Sequence, residues 1–137
     1  HATSDNEIVP YMDSEGVHYS VCDLTHAFPM KVYEFYNAMH CVIGMRGHAQ
    51  MIPFGLNCGI LSLGTHDKMK WFLEDIEATD WYISLTDPDG KITERIVAAF
   101  EITQIQEAER TRLRLMETQN RLWEISKVNW SKIQMII

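Results

Sequence analysis

The chain has 137 residues, of which 46% are hydrophobic, so it is long and apolar enough for one domain with a core. Its net charge of −7 disfavours nucleic acid as a partner, because binding to phosphate backbones relies on clustered lysines and arginines. No stretch reaches the roughly 18 apolar residues of a transmembrane helix, and the first residues lack the basic start and apolar core of a signal peptide. We therefore expect a cytoplasmic protein without a transmembrane segment.

The charge is distributed unevenly. Residues 1–90 carry a net charge of −9, whereas residues 91–137 carry +2. The first 90 residues contain only four bases, and two of these, Arg46 and Lys68, fall at the ends of predicted strands. These two cations are therefore candidates for a binding site.

The predicted elements of the first part begin with a helix. Ser4-Asp5-Asn6-Glu7 has the form of a capping box, which predicts a short helix that bends at Pro10. Alternating polar and apolar residues predict a strand over 17–24. A proline at a helix start and an apolar face predict a helix over 28–39, and the apolar run 40–45 predicts a strand.

Strands and helices continue to alternate from there. A short helix, broken near Pro53 and closed by Gly55 or Asn57, is expected after Arg46-Gly47-His48, and strand 59–64 follows. The next expected elements are a helix over 66–78, a strand over 81–85 and a turn over 87–90.

From Lys91 the sequence is helical nearly to its end, and the charged stretch 107–114 is predicted to join two helices. The candidate buried positions of this segment are Ile92, Ile96, Phe100, Leu115, Leu122, Ile125 and Val128.

This alternation predicts an α/β fold, with a Rossmann-like parallel sheet, helices on both faces and a long carboxy-terminal helical tail. A doubly wound sheet normally begins with a strand, so we expect the first strand to lie upstream of His1 in a longer protein. We divide the chain into an α/β domain over 1–90 and a helical segment over 91–137. This segment is expected to pack on that domain or on an absent amino-terminal domain.

Parallel sheets bind ligands beyond the carboxyl ends of their strands. If strands 40–45 and 59–64 are neighbours, Arg46, His48 and Lys68 can converge there, and free N–H groups at the helix starts add donors. Such a site suits an anion that carries phosphate and carboxylate, because arginine offers a planar fork and lysine a point charge. His48 would titrate near neutrality, which suits proton transfer.

Structural explanations exist for each of these residues. An arginine after a strand often pairs with a nearby aspartate, a single histidine is often structural, and Gly47 can simply mark a turn. His66 and Asp67 suit helix capping. The other histidines, His1, His18, His26 and His40, show no metal-ligand spacing, so no metal site is expected.

Other motifs point to the core. Cys22, Cys41 and Cys58 are odd in number and widely spaced, so we interpret them as reduced core thiols. We assign three aromatic residues, Trp71, Phe72 and Trp81, to the core. Neither a dinucleotide-binding glycine motif nor a P-loop occurs.

Residues 42–76, VIGMRGHAQMIPFGLNCGILSLGTHDKMKWFLEDI, closely resemble the carboxy-terminal domain of the polysaccharide pyruvyl transferase family. In that family a strand ending in Gly-Met-Arg-x-His-Ala precedes a small-residue helix, another strand and a lysine before Phe-Leu-Glu. The resemblance implies the carboxy-terminal half of a GT-B-like enzyme with two Rossmann-like domains. Residues 1–90 would then be its donor-binding domain, and the chain would be inactive without the amino-terminal domain.

The resemblance also implies the chemistry. Family members transfer pyruvyl from phosphoenolpyruvate to a pair of sugar hydroxyls as a ketal, in exopolysaccharide or cell-surface polysaccharide synthesis. By this resemblance His48 is the catalytic acid/base, and Arg46, Gly47 and Lys68 bind the donor. The implied partners are phosphoenolpyruvate, a sugar or lipid-linked saccharide acceptor and the amino-terminal domain, and no cofactor is implied.

The chain departs from the family pattern at two places. Gly47 stands where a bulky aliphatic residue is common, and Thr65-His66-Asp67 precedes the lysine where many members have Ser-Tyr-Asp-Pro. Two alternatives stay open: the nucleotide-sugar-binding half of a GT-B glycosyltransferase, and a non-catalytic assembly module whose 91–137 segment forms helix contacts between molecules.

Overall fold

The computed structural model of the chain describes residues 6–64, 67–86 and 90–135. Contacts within the chain form two compact units, residues 1–32 and residues 33–137. The predicted division at residue 90 is not a boundary between these units.

The first unit opens with a 3-10 turn, Asn6–Ile8, and a short helix α1, Val9–Ser14. Pro10 lies in the first turn of α1, where its missing N–H costs no intrahelical hydrogen bond. The helix begins at Val9, one residue before this proline, and the bend at Pro10 stays a prediction. Ser4 of the predicted capping box lies outside the described residues.

The predicted strand over 17–24 is wrong, because these residues form no regular structure. Val17 and Val21, two of the apolar residues of the alternating pattern, are 47% and 64% exposed. Alternation stabilises a strand only where a neighbouring strand pairs with it and one face is buried.

Three parallel strands, which come after helix α2, Pro29–Asn37, in the chain, form the sheet of the second unit. The strands are β1, Cys41–Gly44, β2, Gly59–Gly64, and β3, Tyr82–Ser84, in the spatial order β1-β2-β3. Helix α3, His48–Gly55, connects β1 to β2, and helix α4, Asp67–Asp75, lies between β2 and β3. A 3-10 turn, Thr79–Trp81, precedes β3. The predicted mixed α/β fold with a parallel sheet is thus confirmed.

The core lies around the central strand β2, of which every residue except Leu63 is buried. Phe54 of α3 and Phe72 of α4 meet edge to face, with ring centroids 5.6 Å apart, so the two helices pack side by side. The buried apolar residues that form the core cluster are Phe54, Ile60, Leu61, Leu73, Ile76, Ala78, Trp81 and Leu115.

The carboxy-terminal segment consists of helix α5, Ile92–Phe100, a π-helical stretch, Glu101–Gln106, and helix α6, Ala108–Gln134. The predicted connection over 107–114 is wrong, because only Glu107 separates the π-helical stretch from α6. The charges of this stretch pair one turn apart along the helix, as in the 2.7 Å contact between Arg112 and Glu109, and such pairs support a helix.

Burial in this segment stops halfway along α6. Leu115 is 2% exposed, and Leu122 packs against the core. The predictions that Ile125 and Val128 are buried are wrong, since they are 50% and 53% exposed. Beyond Leu122 all described residues of the helix are exposed.

Two further assignments to the core are corrected. Trp71 is 61% exposed and Cys22 is exposed, whereas Trp81 and Cys58 are buried as predicted. None of the described helices is both long and apolar enough to cross a membrane. Asp87, Pro88 and Asp89 of the predicted turn lie outside the described residues.

Candidate functional site

The strands that precede the two cationic segments are neighbours. β1 and β2 pair in parallel, with Gly44 opposite Ser62. Both strands therefore end at the same edge of the sheet, and Arg46 and Lys68 follow these two ends in the chain. The structure meets the condition on which the predicted convergence depended.

Arg46, Gly47 and His48 form the entry to α3. Gly47 is the N-cap residue, and no side chain among the described residues caps the first turn of this helix. The N–H groups at the start of a helix attract anions when no side chain satisfies them. A Cβ at position 47 would meet nothing within 4 Å, so neither packing nor backbone geometry requires a glycine there.

The predicted site residues differ in exposure. Arg46, His48 and Lys68 are exposed, and Gly47 is half-buried. Lys68 stands in the first turn of α4. Thr65 and His66 lie outside the described residues.

A small cavity of about 230 Å³ lies between α3 and α4. It brings together two of the predicted site residues, Gly47 and Lys68, whereas Arg46 and His48 are not among the described residues that line it. One face of each helix contributes to the walls, with Gly47, Gln50 and Met51 from α3, and Lys68, Trp71, Phe72 and Asp75 from α4.

Gln50 is a site residue that sequence reasoning missed. Its side chain is fully buried, and its Nε2 donates a hydrogen bond of 3.1 Å to the carbonyl of Gly44 at the end of β1. Gln50 therefore ties α3 to the end of β1, two residues before Arg46. Its Oε1 has no hydrogen-bond partner within the described part of the chain. The only sequence signal was a polar residue among the small and apolar residues of a short helix.

Ser62 is a second buried polar residue near this edge. It lies on β2 opposite Gly44 and is fully buried. Its Oγ, like Oε1 of Gln50, lacks a partner among the residues that the structure describes. Buried polar atoms without a hydrogen-bond partner are few in native proteins. Oε1 of Gln50 and Oγ of Ser62 therefore show that this edge of the sheet has polar atoms in its interior as well as at its surface.

Gly64 ends β2 under the ring of Tyr82. A Cβ on Gly64 would lie 2.7 Å from Cζ of Tyr82, which is closer than such atoms approach. A side chain at this point, where the chain leaves the sheet toward Lys68, would therefore require the Tyr82 ring to move.

The second unit offers few other groups for nucleophilic or metal-dependent chemistry among its described residues. Burial raises the pKa of the Cys41 thiol to about 12, so this thiol stays protonated at neutral pH and is a poor nucleophile. Within residues 6–64, 67–86 and 90–135, no group of three histidine, cysteine or acidic residues could hold a metal ion. The groups available at the edge are thus cations, backbone N–H groups and the His48 imidazole.

Comparison with known proteins identifies no relative. No protein-family model matches the chain, and searches of curated proteins and of solved structures find no match. The function proposed for the chain therefore rests on its own residues.

Proposed function

We propose that the chain is the donor-binding, carboxy-terminal domain of a polysaccharide pyruvyl transferase. It binds phosphoenolpyruvate beyond the carboxyl ends of β1 and β2. The whole enzyme transfers the pyruvyl group to two hydroxyls of a sugar or lipid-linked saccharide, as a ketal, in cell-surface polysaccharide synthesis. The observation that supports this most directly is that the segments carrying Arg46 and Lys68 leave neighbouring parallel strands at one edge.

The residue types at this edge suit the donor. Phosphoenolpyruvate carries a phosphate and a carboxylate, and Arg46 offers a bidentate fork for one of them. Lys68 and the uncapped start of α3 supply further positive potential. Fixed positive charge favours the departure of phosphate, because it stabilises the negative charge that develops on the leaving group.

His48 is the proposed acid. His48 donates a proton to the methylene carbon of the donor, which becomes a methyl group. One sugar hydroxyl adds to the adjacent cationic carbon and gives its proton to the His48 imidazole. The second hydroxyl then displaces phosphate from that carbon, and its proton leaves with a base. An imidazole can both donate and accept a proton, which suits these steps.

The placement of helices on both faces of the sheet is part of the same proposal. A Cβ on Gly44 would lie 3.0 Å from Cβ of Ala49 in α3, and a Cβ on Gly59 would meet Gln104 of the π-helical stretch. Gly44 pairs with Ser62, three residues after Gly59, so the two glycines face opposite sides of the sheet. This supports a Rossmann-like sheet with helices on both faces. In a GT-B-like enzyme the acceptor side of the cleft comes from an amino-terminal domain, so we expect this chain alone to be inactive.

Titration of the chain with phosphoenolpyruvate tests the proposal. We expect saturable NMR shifts of the His48 ring protons and of the amides of residues 46–49. These shifts should be lost in Arg46→Ala and Lys68→Ala. Lys70→Ala is the matched control, because Lys70 is on the same helix and lies 3.9 Å from Glu74 instead of lining the cavity.

Other outcomes would overturn the proposal. Shifts with a nucleoside diphosphate and none with phosphoenolpyruvate would favour the glycosyltransferase. Silence with both ligands would contradict donor binding by this chain. Normal turnover of the full-length His48→Ala enzyme would remove the acid role from His48.

A further inference from the structure

A second cavity lies at the edge of the sheet opposite the proposed donor site. It has a volume of about 290 Å³ and is lined by the start of α6, the π-helical stretch and residues near the starts of β1 and β2. Gly59 lines it at the start of β2, about 17 Å along the strand from Gly64 at the donor edge. We propose that this cavity binds a free α-amino acid with an apolar side chain, in its zwitterionic form. This site does not depend on the proposed function.

The floor of the cavity consists of its buried residues, Gly59, Gln104, Thr111 and Leu115, and carries no charge. Gln104 and Thr111 are each 8% exposed, so they are polar side chains within the protein interior. Buried polar atoms normally have hydrogen-bond partners. The atoms of these two side chains that have no partner within the protein therefore indicate which groups a ligand would supply.

The Gln104 amide presents its oxygen to a ligand. The Thr103 hydroxyl has one proton, which it donates to the carbonyl of Ala99 at 2.7 Å. The Gln104 atom that lies 3.1 Å from this hydroxyl is therefore a donor, which identifies it as Nε2 and fixes the orientation of the amide. Oε1 has no hydrogen-bond partner among the described residues, so it is an acceptor that an N–H or O–H group of a ligand would satisfy.

The Thr111 hydroxyl also has no hydrogen bond within the described part of the chain. A hydroxyl can both donate and accept, so it suits a carboxylate as well as an N–H group. Oε1 of Gln50 is enclosed by protein, whereas Oε1 of Gln104 and the Thr111 hydroxyl keep some exposed surface, and both of these residues line the cavity. A ligand in the cavity can therefore reach both atoms.

The backbone around Gln104 is an independent sign of a functional site. Gln104 belongs to the π-helical stretch, whose buried residues are Thr103 and Gln104. Such stretches are rare and frequently lie at functional sites. Glycine at position 59 leaves the space in which the Gln104 amide lies, since a Cβ there would collide with it. The start of β2 and the π-helical stretch thus place the amide at the cavity together.

The rim of the cavity carries one charge of each sign, from Glu109 and Arg112, which pair at 2.7 Å one turn apart on α6. A ligand with a net charge would be attracted by one of them and repelled by the other. A zwitterion can place its ammonium group beside Glu109 and its carboxylate beside Arg112. Nη1 of Arg112 donates to the sulfur of Met116 at 3.4 Å, and because this sulfur is a weak acceptor, a carboxylate would be a stronger partner.

An α-amino acid satisfies the floor as well as the rim. Its ammonium group has three N–H donors, one of which can reach Oε1 of Gln104, and its carboxylate can accept from the Thr111 hydroxyl. Met39, Ala108 and Leu115 give the cavity apolar surface for the side chain of the ligand. The volume of about 290 Å³ lies just below the roughly 300–1,000 Å³ of pockets for drug-sized molecules, so one amino acid fits better than a peptide.

The test is an NMR titration of the chain with L-leucine and with L-alanine. We expect saturable shifts of the Gln104 side-chain amide and of the backbone amides of Gly59 and Thr111 with at least one of the two. The matched ligands each lack one charge: isocaproate and isoamylamine for leucine, and propanoate and ethylamine for alanine. These should bind at least tenfold more weakly, because each leaves one of the charge-assisted contacts unmade.

Two pairs of variants locate the binding site. Thr111→Val should weaken binding about tenfold, because the hydroxyl that donates to the carboxylate is lost. Thr118→Val is the matched control, since Thr118 is also 8% exposed on α6 but does not line the cavity. Arg112→Gln changes an exposed residue and should weaken binding in the same way, whereas Arg110→Gln, on the same helix and outside the cavity lining, should not.

The remaining outcomes would overturn the proposal. No shifts at Gln104, Gly59 and Thr111 with either amino acid would exclude this ligand class. Equal affinity for an amino acid and for its matched acid or amine would show that a zwitterion is not recognised. Equal losses within either pair of variants, or shifts at residues 46–49 in place of those at Gln104, would show that the amino acid binds elsewhere.

Discussion

At the scale of single residues, the three cysteines occupy environments that their spacing does not reveal. Cys22 is exposed, Cys41 is half-buried and Cys58 is buried, and all three are free thiols. Burial raises the pKa of Cys41 from its ordinary value of 9.0 to about 12, and the neighbouring Cys58 adds to the rise. Burial also raises the pKa of Cys58. The reactive thiol of the native protein is therefore expected to be Cys22.

The raised pKa of Cys41 predicts a pH dependence of stability. In the unfolded chain this thiol ionises near pH 9.0, whereas in the folded chain it keeps its proton up to about pH 12. Its contribution to the free energy of unfolding is present below pH 9.0 and is lost as the pH rises toward 12. We expect the free energy of unfolding, measured by urea unfolding across this pH range, to fall less steeply with pH in Cys41→Ala than in the wild type. Cys22→Ala should keep the wild-type slope, and equal slopes for all three proteins would contradict the prediction.

At the scale of elements, the first half of α6 explains the uneven charge of the sequence. The Arg114 guanidinium donates hydrogen bonds of 3.0 and 2.9 Å to the two carboxylate oxygens of Asp80 and lies 5.1 Å from the ring centroid of Trp81. Arg121 donates to the Glu77 carboxylate at 2.6 Å. The basic helix thus binds the acidic segment between α4 and β3, so part of the positive charge serves internal contacts.

Arg114→Lys should lower the free energy of unfolding by about 1–2 kcal/mol. Lysine keeps the charge but loses the planar fork and the stacking on Trp81, and partial exposure screens part of the effect. Arg110→Lys is the matched control, since Arg110 is 79% exposed and pairs at 3.3 Å with Glu107, the residue that directly precedes α6. Its effect should stay below about 0.5 kcal/mol. Urea unfolding measures both variants, and equal losses would show that the fork of Arg114 does not anchor the helix.

At the scale of the whole molecule, only the first part of α6 packs against the core. Leu115 belongs to the core cluster and Leu122 packs against it. The described residues beyond Leu122 are exposed, including Trp123 and Trp130 at 64% and 61%. This end of the helix is therefore held by its own backbone hydrogen bonds and by side chains within the helix.

A chain that ends after Glu124 should unfold at the same temperature as the full chain, because the residues removed bury no core surface. Leu115→Ala should instead lose about 2–5 kcal/mol, since it removes a buried side chain and leaves a cavity. Thermal unfolding followed by circular dichroism compares the two proteins. A clear fall in the melting temperature of the shortened chain would mean that the end of α6 contributes to the fold.

Much of the fold follows from local patterns. The predicted strands over 40–45, 59–64 and 81–85 match β1, β2 and β3 to within one or two residues, because short apolar runs bounded by helices leave few other arrangements. The strand predicted over 17–24 failed because alternation describes the faces of a segment and says nothing about whether a neighbouring strand is available to pair with it.

By itself the sequence determined the α/β class, the order of the elements and the residues that follow the strand ends, because all three depend on spacing along the chain. Only the tertiary structure decided which side chains are covered. Trp71 and Trp81 look equally suited to the core, yet α4 turns one toward solvent while the segment before β3 buries the other. The burial of Gln50 likewise depends on how α3 packs onto β1. Periodicity can be read from neighbouring residues, whereas contacts between distant segments form only when the chain folds.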